Sequence, residues 1–414
     1  MTSPIIKTPK LVLLIMAFLG PIALNVYAPI MPTLKIAFST SADAVQLGMT
    51  IFLLFFALSQ LFCGLFVEIF GQKKVLLVGV VLYILGSAIG IISSNIYWLI
   101  LARVLQAIGG GFSLLLTRSI ILEQNSPNRA AANLSYVALG MASVQTVMPT
   151  ISGYLNVQFS WHIVFYLSLV IAILALWAIY HFLPEPPLNK ENATVQCLRI
   201  NLLNLNQVGK APKLSIKDIL KNYINILVIP RFFYLALTNA LISSGFFVFV
   251  LNVPFIVVDN LSGDSLDYGK WYLFVALGFW VGSFVSSQIS ERVGTHKMLT
   301  ISLYLAPLAG CAMTIIVMIY DVNYWSLFIP MSLFSFSRGV LLPNAQASAV
   351  SGTSNNRATA MGIFSFCQLI IGASIAQFSV LFIKKNMFYL PIVISLLTVM
   401  ALFTYSKAVN SQTR

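Results

Sequence analysis

Twelve long apolar runs constrain this chain more than any other feature. They fall near residues 10–33, 44–68, 75–94, 96–122, 131–155, 162–183, 227–258, 268–291, 298–320, 325–349, 358–383 and 387–406. An α-helix rises about 1.5 Å per residue, so roughly 20 apolar residues cross the hydrocarbon core of a bilayer. Inside lipid, a helix satisfies every backbone polar group within its own segment. The predicted class is therefore an all-α integral membrane protein with 12 transmembrane helices. A large soluble protein with buried core helices is excluded, because 59% of the 414 residues are hydrophobic and only 8% are charged. That leaves too few charges to coat a water-exposed surface. No short apolar segment with a small-residue cleavage site precedes the first run, so it is expected to stay as a helix.

The net charge of +13 follows the membrane and gives no sign of nucleic acid as a partner. With both termini placed in the cytoplasm, eighteen of the 24 Lys and Arg residues fall on that side and four on the other. Basic residues accumulate in cytoplasmic loops, so this asymmetry sets the expected orientation. Two cations, Arg103 and Arg338, lie inside spans. The four cysteines and three histidines show no ligand spacing, so neither a metal nor a cofactor is expected. H-E-x-x-H and the nucleotide-binding P-loop are both absent, which argues against an intramembrane hydrolase and against direct ATP drive.

A polar stretch at 184–226, opening with Pro184-Glu185-Pro186-Pro187, divides the spans six and six. The predicted domains are a bundle over 1–183, a cytoplasmic linker over 184–226 and a second bundle over 227–414. Within the linker, Leu214, Ile216, Ile219 and Leu220 alternate with Lys213, Lys217 and Lys221. That pattern suits a short amphipathic helix on an anionic membrane surface. The two halves also repeat one another. Glu68, Gly71 and Lys74 recur as Glu291, Gly294 and Lys297 at an offset of 223, and "SPNRAAA" (126–132) recurs as "SNNRATA" (354–360) at 228. Matched loops at nearly equal offsets imply a duplicated six-helix unit with parallel topology.

These motifs resemble those of the major facilitator superfamily. "GLFVEIFGQKK" (64–74) is similar to its loop motif after span 2, with Glu68 for the usual Asp and Ile69 for the usual basic residue. "RVLQAIGGG" (103–111) is similar to its span 4 motif. "MPTISG" (148–153) retains Pro149 and Gly153 of its span 5 antiporter motif. "SWHIVF" (160–165), "LLPNA" (341–345) and "ATAMGIFSFCQ" (358–368) resemble the Bcr/CflA branch of drug-resistance proton antiporters. The resemblance implies two pseudo-symmetric six-helix bundles around a central cavity that opens alternately to each side. It also implies a bacterial inner-membrane protein, functional as a monomer, moving a small molecule against protons.

Candidate residues follow in three groups. Gly64, Glu68, Gly71, Lys73 and Lys74, with Glu291, Arg292 and Gly294, form a candidate conformational latch at the cytoplasmic helix ends. There, charges can pair with neighbouring helix termini. Pro149 and Gly153 mark span 5. Cavity candidates are Asn25, Tyr27, Arg103, Gln106, Tyr136, Gln145, Asn239, Arg338, Asn344 and Gln368. Gln106 lies one turn after Arg103 on the same helix face. By the 228 offset, Arg338 takes the place of Gly110, about 10 Å deeper along its helix than Arg103. An arginine within a span costs about 2.5–3.5 kcal/mol on insertion scales, so each should face the protein interior and be partnered. Backbone carbonyls or a substrate are both eligible partners.

None of the eleven carboxylates lies near the membrane midplane. The resembled branch has an Asp in span 1, in a sequence like D-M-Y-L-P. Here the residues are Asn25-Val26-Tyr27-Ala28-Pro29, and an amide does not titrate. The expected function is multidrug-type efflux by alternating access with proton antiport. The alternative is export or uptake of an anionic metabolite, such as a carboxylate-type siderophore, with proton coupling weak or carried by the substrate. Arginine recognises carboxylates in bidentate fashion, and two arginines without midplane acids favour an anion.

Overall fold

A computed structural model describes residues 9–124, 127–183, 224–351 and 357–410. Residues 184–223, with the proposed amphipathic segment, lie outside the described residues. So do the surroundings of Gly64 and the side chains of Glu68, Tyr136 and Glu291. Among the described residues the chain forms twelve long helices in antiparallel succession. The first half comprises α1 (Lys10–Ala37), α2 (Ala42–Phe70), α3 (Gln72–Ile92), α4 (Ile96–Gln124), α5 (Pro127–Gln158) and α6 (His162–Phe182). The second comprises α7 (Pro230–Asn260), α8 (Ser265–Val293), α9 (Thr295–Tyr320), α10 (Tyr324–Ser351), α11 (Arg357–Ile383) and α12 (Tyr389–Asn410). Eleven of them are long and apolar enough to cross a membrane. The remaining one, α5, is 32 residues long and packs between α1 and α8.

Span 1 runs further than the apolar pattern suggested, to Ala37 instead of residue 33. Its α-helix (Lys10–Tyr27) passes through a 3-10 turn (Ala28–Ile30) into a last helical stretch (Met31–Ala37). Pro29 and Pro32 each sit in the first turn of the piece they enter, where no backbone N–H is needed. Both helix ends that carry the repeated loop motif stop at a glycine. Gly71 and Gly294 have φ of 84° and 89°, a region that side-chain-bearing residues avoid, and each turns the chain directly into the next helix. At the opposite end, α2 is capped by Ser41 accepting from Ala44 N at 3.2 Å, and α8 by an Asp264–Asp267 capping box.

The halves pack by the same plan. α4 lies against α1, α2 and α3, as α10 lies against α7, α8 and α9. Between 67% and 89% of the central residues of α1, α4, α7 and α10 are buried, against 22–50% in the other membrane-length helices. The first and fourth helices of each half therefore make the interior. Between halves, α5 packs on α8 and α2 on α11.

Candidate functional site

Three consecutive glycines explain how α4 reaches the centre of its half. A Cβ on Gly109 would meet the Gly79 carbonyl on α3, one on Gly110 would lie 2.7 Å from Gly20 Cα on α1, and one on Gly111 would meet Ser59 Oγ on α2. Each glycine thus lets a different helix approach to backbone distance, which is how membrane helices gain packing energy without a hydrophobic driving force. Two turns before this junction stands Arg103, 1% exposed. Its Nη1 donates to Ala23 O at 2.8 Å and to Gln106 Oε1 at 2.9 Å. Gln106 Nε2 continues to Ser87 Oγ at 3.0 Å, and Ser87 to Tyr83 O at 2.9 Å. The guanidinium lies over the rings of Tyr27 on α1 and Phe52 on α2, 4.4 and 4.2 Å from their centroids. Its Nε and Nη2 have no hydrogen-bond partner among the described residues.

Arg338 on α10 repeats the arrangement in the second half. It lies over Phe246 on α7 and Phe279 on α8, 4.1 and 4.9 Å from the centroids, and its Nε and Nη1 are unpartnered. Each interior cation is therefore set over one ring from the first helix and one from the second helix of its own half. Arg103 is seven residues from the start of α4 and Arg338 fourteen from the start of α10, a difference in depth of about 10 Å. Among the described residues, neither meets a carboxylate within ion-pair distance. Ring faces attract a cation by about 0.5–2 kcal/mol. That is a fraction of the desolvation cost of a buried charge.

The other cavity candidates divide. Asn25 is buried and its Nδ2 donates back to Pro21 O at 2.8 Å, while Arg103 anchors on Ala23, two residues earlier. Tyr27 donates to Val45 O at 2.9 Å, so its hydroxyl ties α1 to α2 while its ring lies under Arg103. Asn239 and Gln368 are brought together, with Nδ2 to Oε1 at 3.1 Å, and Asn239 Oδ1 is buried without a donor. Asn344 donates to Ser286 Oγ and to Val340 O, both at 2.8 Å, joining α10 to α8. Gln145 is half-buried on α5, with no side-chain hydrogen bond among the described residues. In the latch group, Gly71 and Gly294 form the two turns. Lys74 borders a cleft lined by Phe62, Phe66 and Phe70, and Arg292 is exposed. Phe246, which was not among the cavity candidates, is the nearer of the two rings at Arg338.

The end of the bundle away from the termini is closed by contacts that sequence reasoning missed. Lys35 Nζ on α1 meets Asp259 Oδ2 on α7 at 2.6 Å, and Lys384 Nζ after α11 meets Asp43 Oδ2 on α2 at 2.8 Å. Gln46 donates to Leu251 O at 2.9 Å, and Thr50 to Gln377 Oε1 at 2.7 Å. Along α5, Thr150 donates to Gly269 O and Asn156 to Ser265 Oγ, both at 2.8 Å. Pro149 and Gly153 stand at this α5–α8 seam: a Cβ on Gly269 would lie 3.0 Å from Pro149 O, and one on Gly153 would meet the Ser265 carbonyl. Lys35 and Asp259 are 224 positions apart, close to but not at the 223 offset of the repeated loop motif.

Comparison with known proteins agrees with this architecture. The model of the Major Facilitator Superfamily matches residues 13–377. A bicyclomycin resistance protein homolog of Haemophilus influenzae is 25% identical over 360 residues, covering 87% of this chain and 85% of that protein. Multidrug resistance protein D of Escherichia coli is 24% identical over 341 residues, covering 82% and 80%. Riboflavin transporter RibZ of Clostridioides difficile is 22% identical over 296 residues, covering 67% and 62%. A D-xylose–proton symporter shares the fold with a TM-score of 0.74 at 14% identity, covering 96% of both chains. So does a bacterial homolog of the lysosomal transporter Spinster, solved inward-facing and unoccupied, with a TM-score of 0.71 at 16% identity, covering 97% of this chain and 96% of that one.

Proposed function

We propose, from the premise that this chain belongs to the Major Facilitator Superfamily and is a multi-pass membrane transporter of small molecules, that it exports a small organic molecule by alternating access. The observation that carries this is the division of labour between interior and seam. The interior of each half is built around one buried arginine over two aromatic rings, while the halves join at the distal end through small polar contacts and two partly exposed ion pairs. Exposed pairs contribute about 0–1 kcal/mol each, so such a seam can open without dismantling either half. The structure then represents the distal-closed member of the cycle. The excess of basic residues at the other end supports cytoplasmic termini in a bacterial inner membrane. The names of the bicyclomycin and multidrug resistance relatives favour drug-type efflux, for which proton antiport is the expected drive.

A second reading rests on the two arginines. Both are buried and, among the described residues, both keep two N–H-bearing nitrogens without partners and neither meets a carboxylate within ion-pair distance. Asn25, where the resembled branch carries an acid, cannot supply one. A carboxylate-bearing substrate would provide the missing counter-charge and could carry the proton itself.

Transport into inside-out vesicles, with and without a pH gradient, tests both readings. A panel of lipophilic cations, neutral drugs and polycarboxylates serves as substrate. Accumulation driven by an acid interior supports proton antiport, and no effect of the gradient removes it. Preference for polycarboxylates supports the anionic reading, and clear preference for lipophilic cations overturns it.

A further inference from the structure

At the distal end the two halves line an open cleft of about 380 Å³ whose wall includes neither interior arginine. Asp43 and Gln46 of α2, Asn252 and Asp259 of α7, and Lys384 and Lys385 after α11 supply its polar lining. Gln46 is 2% exposed. Its Nε2 donates to Leu251 O at 2.9 Å and to Asn252 Oδ1 at 3.4 Å, which sets the orientation of the amide. Its Oε1 is buried and accepts nothing. One turn earlier, Asp43 gives Oδ2 to Lys384 and leaves Oδ1 buried and unpartnered. Both residues line the cavity and, three apart on α2, share a helix face, so each brings one unsatisfied acceptor to that face and one of them bears carboxylate charge. Buried acceptors of this kind call for a donor.

We infer that this cavity is a second binding site, which takes the protonated amine of a small solute through Asp43 Oδ1 and Gln46 Oε1. An ammonium offers three donors and no acceptor, which suits a carboxylate oxygen beside an amide oxygen. Its hydrogen bond to a carboxylate is about twice as strong as a neutral one. The volume falls within the range of about 300–1,000 Å³ usual for small-molecule sites. Charges around the site narrow the ligand further. Asp259 is already held by Lys35, and Lys385 adds a positive charge to the same wall, so a monoamine fits better than a diamine. Lys384, its side chain 60% exposed, holds Asp43 from the solvent side and can turn away into water. An amine on the inner face of Asp43 competes with that lysine and loosens one of the two ion pairs between the halves. The site therefore acts on the distal seal as well as on the solute.

Equilibrium dialysis of radiolabelled butylamine against the purified full-length protein, in an amine-free phosphate buffer, tests this. Wild type should bind saturably, with butanol, butyrate and putrescine competing at least tenfold less well than unlabelled butylamine. Asp43→Asn and Gln46→Leu should each weaken binding about tenfold. Lys384→Ala should tighten it, a gain that misfolding cannot imitate. Lys270→Ala, whose partner Asp267 is outside the cavity wall, should leave it unchanged. The inference is overturned if wild type shows no saturable binding, if Asp43→Asn binds as wild type does, if butanol competes as well as butylamine, or if Lys384→Ala fails to tighten binding.

Discussion

Replacing Gly153 by alanine should shift this protein away from the distal-closed conformation without weakening either half. A Cβ added at Gly153 would meet the Ser265 carbonyl oxygen, lie 2.8 Å from the Ser265 carbonyl carbon and lie 3.1 Å from Leu266 Cα. Carbon atoms pack best at about 3.5–4.0 Å, and all three obstacles are backbone, so no rotamer change relieves the overlap. Overpacking of this kind costs about 1–3 kcal/mol. The cost exists only while α5 touches α8, and that contact joins the two halves. It therefore enters the conformational equilibrium and leaves folding of each half untouched. A bias of 1–3 kcal/mol changes a two-state ratio by about 5- to 150-fold. Spin labels at the exposed distal positions Phe159 and Tyr320, in a background lacking the native cysteines, would report it by pulsed-dipolar distance measurement. The variant should gain a longer-distance population. Gly278→Ala is the control, since its Cβ would lie 3.0 Å from the Ser332 carbonyl carbon within one half. It should lower thermal stability with an unchanged distance distribution. If Gly153→Ala leaves the distances unchanged, or if the two variants behave alike, the assignment of the α5–α8 seam as a moving contact is refuted.

Three further outcomes follow from the interior and the seam. Arg103→Gln removes an uncompensated buried cation, so thermal stability should hold or rise while transport of carboxylate substrates falls more than about tenfold; unchanged carboxylate transport in vesicles would show that Arg103 only ties helices together. Asn25→Asp places a titratable group on α1 near the level at which Arg103 anchors, so the variant's transport rate should acquire a pH dependence beyond that of wild type in the same vesicles; identical pH profiles would remove position 25 from the coupling pathway. Lys35→Asp should open the distal end by breaking the pair with Asp259, a shift of no more than about fivefold given the exposure of both side chains, and the swapped pair Lys35→Asp with Asp259→Lys should reverse it; failure of the swap to restore the labelled distances would show that the pair contributes nothing to closure.

The interior chemistry was legible because membrane spans make rare residues conspicuous. Arg103 and Arg338 stood out as cations within apolar runs, and Gly109 to Gly111 fell within the motif that resembles span 4 of the superfamily. The structure gives each of these a specific neighbour. Gly71 and Gly294 were visible as matched members of a repeat, and their positive φ supplies the physical reason for the match. The ring beneath Arg338 was not legible. Phe246 and Phe247 are adjacent on an α7 buried nearly all round, so hydropathy cannot choose between them. The distal seal was harder still, since its ion pairs join residues 224 and 341 positions apart and each lysine or aspartate looks like ordinary loop charge. Only pairing between halves gives them meaning, and under the proposed alternating access that pairing belongs to one conformation. The interior arginines are set by helix packing within a half, which the proposed alternating access would preserve in both of its conformations. The seam residues are set by the relation between halves, which transport must change. Residues of the first kind leave a mark in local sequence pattern. Those of the second kind leave almost none, because the seam must remain weak enough to open.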